Sequence, residues 1–424
     1  MKFTQKIKTI VKDKALRNKV LFVLFVLALF RLLASIPVPG IDTFQLEGFL
    51  ANNQFLGILN IFSGGGLSTI SIAMLGVGPY ITASIVMQLV TAISPRIKAM
   101  YHENGQIGRK KFINISRYLT IPFAIIQGFG LLLLLKQQGI LGDMSLFSFI
   151  SAIIIVTAGS MLLTWLGELV TEYGIGNGLS ILIFAGIVAA LPSQVSQLAF
   201  SYDPSLLPTY IGFVAVAIAI VAGVVLVSEA ERPVAVTYAN QARGGGGLAK
   251  GSHTYVPLRI NQAGVMPIIF ALSIMLFPQM LANILGSLNA GGFWAILSGW
   301  INTFLATTWA YALVYFVLVF LFTYFYTAIT FEPDSMAENL QKNGAFVPGI
   351  RPGVATSEYI GNIVTRITFV GAIFLGIISV LPILMQQITG ISTLAIGGTA
   401  LLIVVSVILD LLKKIDAQVT MREY

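Results

Sequence analysis

Few residues in this 424-residue chain could do covalent chemistry. It has no cysteine, which excludes a thiolate nucleophile, a thiolate metal site and a disulfide. The two histidines, His102 and His253, fall in polar loops. Solvated side chains are the expectation there, because metal or general-base work needs partners nearby. GELVTEYG carries two carboxylates, Glu168 and Glu172. They flank the end of an apolar run, which suits a structural or docking role better than acid–base catalysis. GxSxG and HExxH are both absent. The run Gly244 to Gly247 leads into Leu248-Ala249-Lys250 rather than Gly-Lys-Ser/Thr, so it reads as a flexible loop tip and not a phosphate cradle. No catalytic residue, metal or cofactor is expected.

The elements around these residues are those of a membrane protein. The chain is 56% hydrophobic and 10% charged, against about 25% charged in an ordinary soluble domain. Ten apolar runs are long enough to span a bilayer, which takes about 20 residues. They are roughly 20–37, 72–92, 112–135, 147–168, 177–193, 209–228, 264–286, 308–330, 364–386 and 392–412. Each must be a helix, because backbone polar groups in lipid need internal partners. The runs continue to the C-terminus, so the first is not read as a cleaved signal peptide.

The net charge of +8 orients them. Lysines and arginines crowd the N-terminal tail, the connections after spans two, six and eight, and the C-terminal tail. The odd-numbered connections hold one basic residue, Lys136. This is a positive-inside pattern with both termini cytoplasmic. It also suits attraction to anionic lipids. The short connection after span four, with Glu168 and Glu172, is the inward loop the rule does not explain. Two inward loops, about 229–262 and 331–358, are longer than topology requires, which points to docking of a cytoplasmic partner.

Carriers and pumps mark their pathways with intramembrane charges. Here no ionisable residue falls at the predicted midplane of any span. Arg31 lies near the outer end of span one, where it can snorkel. Arg117, Arg366, Glu168 and Asp410 lie near inner ends. A path that must pass many different cargos would avoid fixed polar sites, and a ring of aliphatic side chains can close such a path by dewetting. Five plus five spans would make an inverted repeat, since five is odd. The alternative on the same count is an inverted-repeat secondary transporter for a small solute, which should carry midplane ligands.

One stretch breaks the pattern. Phe55 to Phe62 is apolar but far too short to span, and Gly64-Gly65-Gly66 follows it. It sits on the outer side. Such backbone is tolerated only inside protein or a watery cavity, so a re-entrant element is expected over about 55–66.

Six motifs in order then carry a resemblance. SIAMLGVGPYITASIVMQLV (Ser71–Val90) and WLGELVTEYGIGNGLSILIFAGIVAALP (Trp165–Pro192) resemble the two signatures of the SecY family, the central subunit of the bacterial protein-conducting channel. IPVPGID (Ile36–Asp42), INQAGVMPIIFA (Ile260–Ala271), GAFVPGIRPG (Gly344–Gly353) and GGTALLIVVSVILD (Gly397–Asp410) also match. The likeness covers essentially the whole chain.

The resemblance implies an all-α polytopic fold of ten transmembrane helices in two inverted five-helix halves, 20–193 and 194–412. A basic tail (1–19) precedes them and a cytoplasmic tail (413–424) follows. It implies a channel that moves unfolded polypeptides across the bacterial cytoplasmic membrane and releases hydrophobic segments sideways into it, and not an enzyme. Carried over residue by residue, the pore ring is Val77, Ile81, Ile183, Ile187, Ile269 and Ile403. The re-entrant element becomes a plug under that ring. Phe62 maps near the contact, and Gly64, Gly65 and Gly66 supply φ freedom for the reversal. A lateral gate lies between spans two–three and seven–eight. Thr82, Gln127 and Asn261 map onto its polar cluster, and interhelical hydrogen bonds worth about 1 kcal/mol each would hold it shut weakly. The implied partners are the SecE and SecG subunits, the SecA motor and the translating ribosome. The last two would dock on Arg243, Lys250, Arg259 and Arg351. The loop tip ANQARGGGGLAKG is less basic than the family pattern, which reduces its expected share of that docking.

Overall fold

A computed structural model describes residues 12–38, 60, 63–102, 105–137, 139–141, 145–200, 207–238, 254–287, 293–389 and 392–423. The expected contact of Phe62, the rest of the half-segment 55–61 (Asn60 aside), and the docking residues Arg243 and Lys250 lie outside these residues.

A helix occupies each expected span. In chain order the helices are α1 (Lys14–Ser35), α2 (Gly78–Ile93), α3 (Pro95–His102), α4 (Gly105–Gln137), α5 (Leu146–Tyr173), α6 (Gly178–Phe200), α7 (Leu207–Glu229), α8 (Met266–Ser287), α9 (Phe293–Ala306), α10 (Thr308–Thr330), α11 (Pro333–Lys342), α12 (Val354–Thr389) and α13 (Ser392–Glu423). Six of them are long and apolar enough, taken singly, to cross a membrane. The chain is an all-α polytopic membrane protein.

Local sequence explains the ends. Asp13 caps α1 by accepting from the amides of Ala15 (2.8 Å) and Leu16 (3.4 Å). Asn177 Oδ1 caps α6 through the Leu179 amide (3.1 Å). The corner between α5 and α6 is tight: a Cβ on Gly178 would lie 1.9 Å from the Gly167 carbonyl oxygen. That is why YGIGNG punctuates two apolar runs there.

The second span starts later than the apolar run suggests. Residues 63–77 form successive turns, and α2 begins only at Gly78 with Pro79 in its first turn. The turns are tied to the end of α1 by backbone bonds from the Val38 amide to the Ile70 carbonyl (2.9 Å) and from the Ile72 amide to the Ile36 carbonyl (3.0 Å). Gly76 takes a positive φ of 56°, which a helix does not allow. At its other end α2 meets α3 at a 114° bend, where Ser94 is extended ahead of Pro95.

The two long inward loops are not independent. They share a three-stranded sheet of order β2-β1-β3, with β1 at Glu231–Tyr238, β2 at Thr254–Arg259 and β3 at Ala345–Phe346. β1 pairs antiparallel with both neighbours, setting Glu231 opposite Arg259 and Thr237 opposite Phe346. Val234, Leu258 and Val347 pack from this region onto Ile360, Ile363, Val364 and Ile367 of α12. Sequence reading treated the loops as separate because β3 is two residues long and has no periodicity to detect.

The spans pack in a repeated pattern. In the first five, α1 packs on α5 and α6, α2 on α4, α4 on α5, and α5 on α6. In the second five, α7 packs on α12 and α13, α8 on α10, α10 on α12, and α12 on α13. Counted by span, these five pairings recur in both sets; the first set adds α2 on α5, which has no counterpart in the second. Between the sets, α2 and α4 pack on α8, and α6 packs on α13.

Candidate channel, gate and docking face

The waist is built from four places in the chain. Val77 precedes α2 and Ile81 lies in its first turn. The Ile81 amide donates to the Val77 carbonyl (3.1 Å), so the two share a face although Val77 is not itself helical. Ile183 and Ile187 lie on α6, Ile269 on α8 and Ile403 on α13. All six are between 1% and 9% exposed and belong to one continuous apolar cluster. All six are therefore buried, in a core that draws on both sets of spans.

A cavity of about 260 Å³ is walled by polar residues, Asn177, Ser180, Asn261, Asp410, Lys413 and Lys414 among them, and by apolar ones, Val265, Met266, Val407 and Leu409 among them.

The expected gate cluster assembles only in part, and on one wall. Gln127 Nε2 donates to Thr82 Oγ1 (3.1 Å), and Thr82 donates in turn to the Gly78 carbonyl (3.1 Å). Thr82 and Gln127 stand on α2 and α4, which lie on the same side of the seam. Their bond stiffens that wall and does not cross it. Asn261 does not join them: its Nδ2 donates to the nearby Gly264 carbonyl (3.3 Å), because the chain turns there before α8 starts. An apolar contact does cross the seam, with Phe123 of α4 edge-on to Phe277 of α8 at 6.3 Å. Nothing in the sequence distinguished these two from 26 other phenylalanines.

The triple glycine divides by role. Gly64 and Gly65 take positive φ of 69° and 84°, as expected of a reversal. Gly66 does not. Its need is close approach, since a Cβ would lie 2.8 Å from Ser71 Oγ and 3.0 Å from the Ala73 carbonyl oxygen. Arg31, near the end of α1, is exposed and donates to the Gly64 carbonyl (2.6 Å).

Near the end of α5, Glu168 pairs with Arg117 of α4, with Nε to Oε1 at 3.2 Å. The carboxylate that breaks the positive-inside pattern is thus neutralised from the neighbouring helix. Arg259 is engaged across the strands with Glu231 (3.4 Å). Arg351 is exposed, and among the described residues its guanidinium makes no ion pair. Its carbonyl accepts from Thr356 Oγ1 (2.8 Å), which braces the turn that presents it.

A polytopic helical bundle with one buried apolar core shared by both sets of spans, and a sheet shared by its two long loops, fits a membrane channel. The comparisons give that class a family. The SecY family matches residues 71–412. The protein translocase subunit SecY of Synechocystis is 40% identical, covering 96% of this chain and 93% of the relative. Among solved structures, a protein-conducting channel superposes with TM-score 0.65 at 18% identity, covering 94% of this chain and 91% of the other. A SecY whose plug domain stabilises the closed state and maintains a membrane seal gives TM-score 0.62 at 17% identity, with the same coverage. Sec61 in a canine ribosome–channel complex from the endoplasmic reticulum gives 0.61 at 17% identity, again over 94% and 91%. The chain belongs to the SecY family. It is a protein-conducting translocase subunit and not an enzyme, and the small-solute transporter alternative has no support.

Proposed function

We propose that the chain forms the pore of a bacterial cytoplasmic-membrane translocon with both termini in the cytoplasm, passing unfolded polypeptide through the ring of Val77, Ile81, Ile183, Ile187, Ile269 and Ile403. Hydrophobic segments leave sideways between α2–α4 and α8–α10. The halves 20–193 and 194–412 are the two walls, and the segment around 55–66 is the removable plug. SecE and SecG are the companion subunits. SecA or the translating ribosome engages the platform through Arg351, which is exposed and makes no ion pair among the described residues; Arg243 and Lys250 belong to the same loop system. Unfolded secretory and membrane-protein chains are the substrates, and anionic lipids meet the basic inner face.

What supports this is that the six aliphatic residues, remote in sequence, are all buried in the apolar core shared by both sets of spans. It favours a path without fixed ligands, which suits a cargo of variable sequence. The reading is tested by reconstituting the chain with SecE and SecG in vesicles and adding SecA, ATP and an unfolded secretory protein. Protease-protected substrate should accumulate with time and depend on ATP. Failure to protect any substrate, by a complex that assembles normally, would overturn it.

A further inference from the structure

The turn at Gly64 is attached to α1 in two different ways. Downstream, residues 69–72 are stitched to the end of α1: Thr69 Oγ1 donates to the Ala34 carbonyl (2.9 Å), and two backbone bonds pair 70 and 72 with 38 and 36. Upstream, the buried Gly64 carbonyl receives one charged donor, the exposed Arg31 (2.6 Å). Phe30, the preceding residue of α1, packs beneath the same glycine: a Cβ on Gly64 would lie 2.5 Å from its ring. Among the described residues the turn's other hydrogen bonds are its own, including those from the Gly65 amide to the Asn60 carbonyl (2.8 Å) and from the Ser68 amide to Asn60 Oδ1 (2.8 Å), and Gly64 also packs on α6, where a Cβ on it would lie 3.3 Å from Gly186 Cα.

These attachments differ in how easily they let go. Breaking the stitch strands several backbone groups at once. Breaking the Arg31 contact frees one carbonyl and one guanidinium. A guanidinium near the outer membrane surface has water and lipid phosphate within reach of its long stem. A charge-assisted bond of this kind is strong enough to bias a position and single enough to be released.

We propose that Arg31 is a latch: a positioning residue that holds the Gly64 turn against α1 and so keeps the channel's stopper seated at rest, while residues 69–72 act as the fixed pivot. The proposal rests on the plug reading above. Because the chain has no cysteine, a single Ser63→Cys reports on the turn without background. Ser63 is 1% exposed, so the thiol should react slowly with an aqueous maleimide when the turn is seated.

The experiment compares Arg31, Arg31→Lys, Arg31→Gln and Arg31→Ala in the reconstituted complex, each with and without Ser63→Cys. Loss of a charge-assisted bond should raise the unseated population about tenfold. Maleimide labelling and resting ion conductance should therefore both rise about tenfold in Arg31→Ala and Arg31→Gln. Arg31→Lys, which keeps one donor, should restore most of the wild-type value. All four should still translocate substrate. Unchanged labelling and conductance in Arg31→Ala would overturn the latch, as would an Arg31→Lys variant as leaky as Arg31→Ala. If Arg31→Ala does not assemble, Arg31→Gln against Arg31→Lys decides by the same two readouts. A wild-type complex that neither translocates nor conducts with substrate engaged would fail the channel reading instead, which these arms separate from failure of the latch.

Discussion

Arg259 and Arg351 are both arginines on cytoplasmic loops, and the structure gives them different work. Arg259 faces Glu231 across paired strands, so reversing its charge sets two carboxylates opposite one another and loosens the sheet. Arg351 stands exposed on a braced turn, so its charge is available to a partner. We expect Arg351→Glu to slow SecA-driven translocation about tenfold, the scale of a lost interfacial ion pair, with no change in thermal unfolding. Parallel measurement of translocation rate and Tm checks it; a normal rate would remove Arg351 from the docking face. At the seam, Phe277→Ala removes an aromatic contact worth about 1 kcal/mol beyond its buried area. It should let weakly hydrophobic signal segments open the gate, raising their export several-fold. The comparison with export of a strongly hydrophobic signal, which should change little, is the check. Gln127→Leu should do less, since Thr82 keeps its bond to the Gly78 carbonyl.

Among the elements, the platform explains why two loops of very different sequence serve one face. Val234 of β1 sits in the small core that joins the sheet to α12. Val234→Asp would bury an unpaired carboxylate there, an expensive change. We expect the loops to become readily cleaved by protease and SecA-driven translocation to fall, while the helical content of the spans is unchanged. Protease mapping beside circular dichroism would show it. The elements also mark where sequence was legible. A helix lies at each of the ten apolar runs, six of them long and apolar enough taken singly to cross, because lipid demands apolar length of any helix that does. It placed the start of α2 six residues early, because Ile72 to Val77 are as apolar as a helix while the backbone is stitched into turns. The charge map put the carboxylate pair GELVTEYG at the inner face, and only packing revealed Arg117 beside Glu168.

For the molecule as a whole, the site was legible in unequal parts. The ring residues are chemically ordinary; any Ile on an apolar helix would serve, and only the resemblance singled out these six. The structure adds that all six are buried. The gate pair was legible as polar residues, but not which side of the seam they would join. The Arg31 contact was not legible, since it links a helix end to a backbone carbonyl 33 residues on. Five neighbour pairings recur in the two five-span sets, which meet along α2 and α4 against α8 and along α6 against α13.

The central claim is that this ring, and no fixed polar site, seals the path. Ile183→Asn with Ile187→Asn places two amides in the constriction, which wets an opening that apolar walls keep dry. The direct measurement is resting ion conductance of the reconstituted complex in a planar bilayer, with no SecA and no substrate. A marked increase over wild type is predicted; a resting conductance equal to wild type would contradict the account.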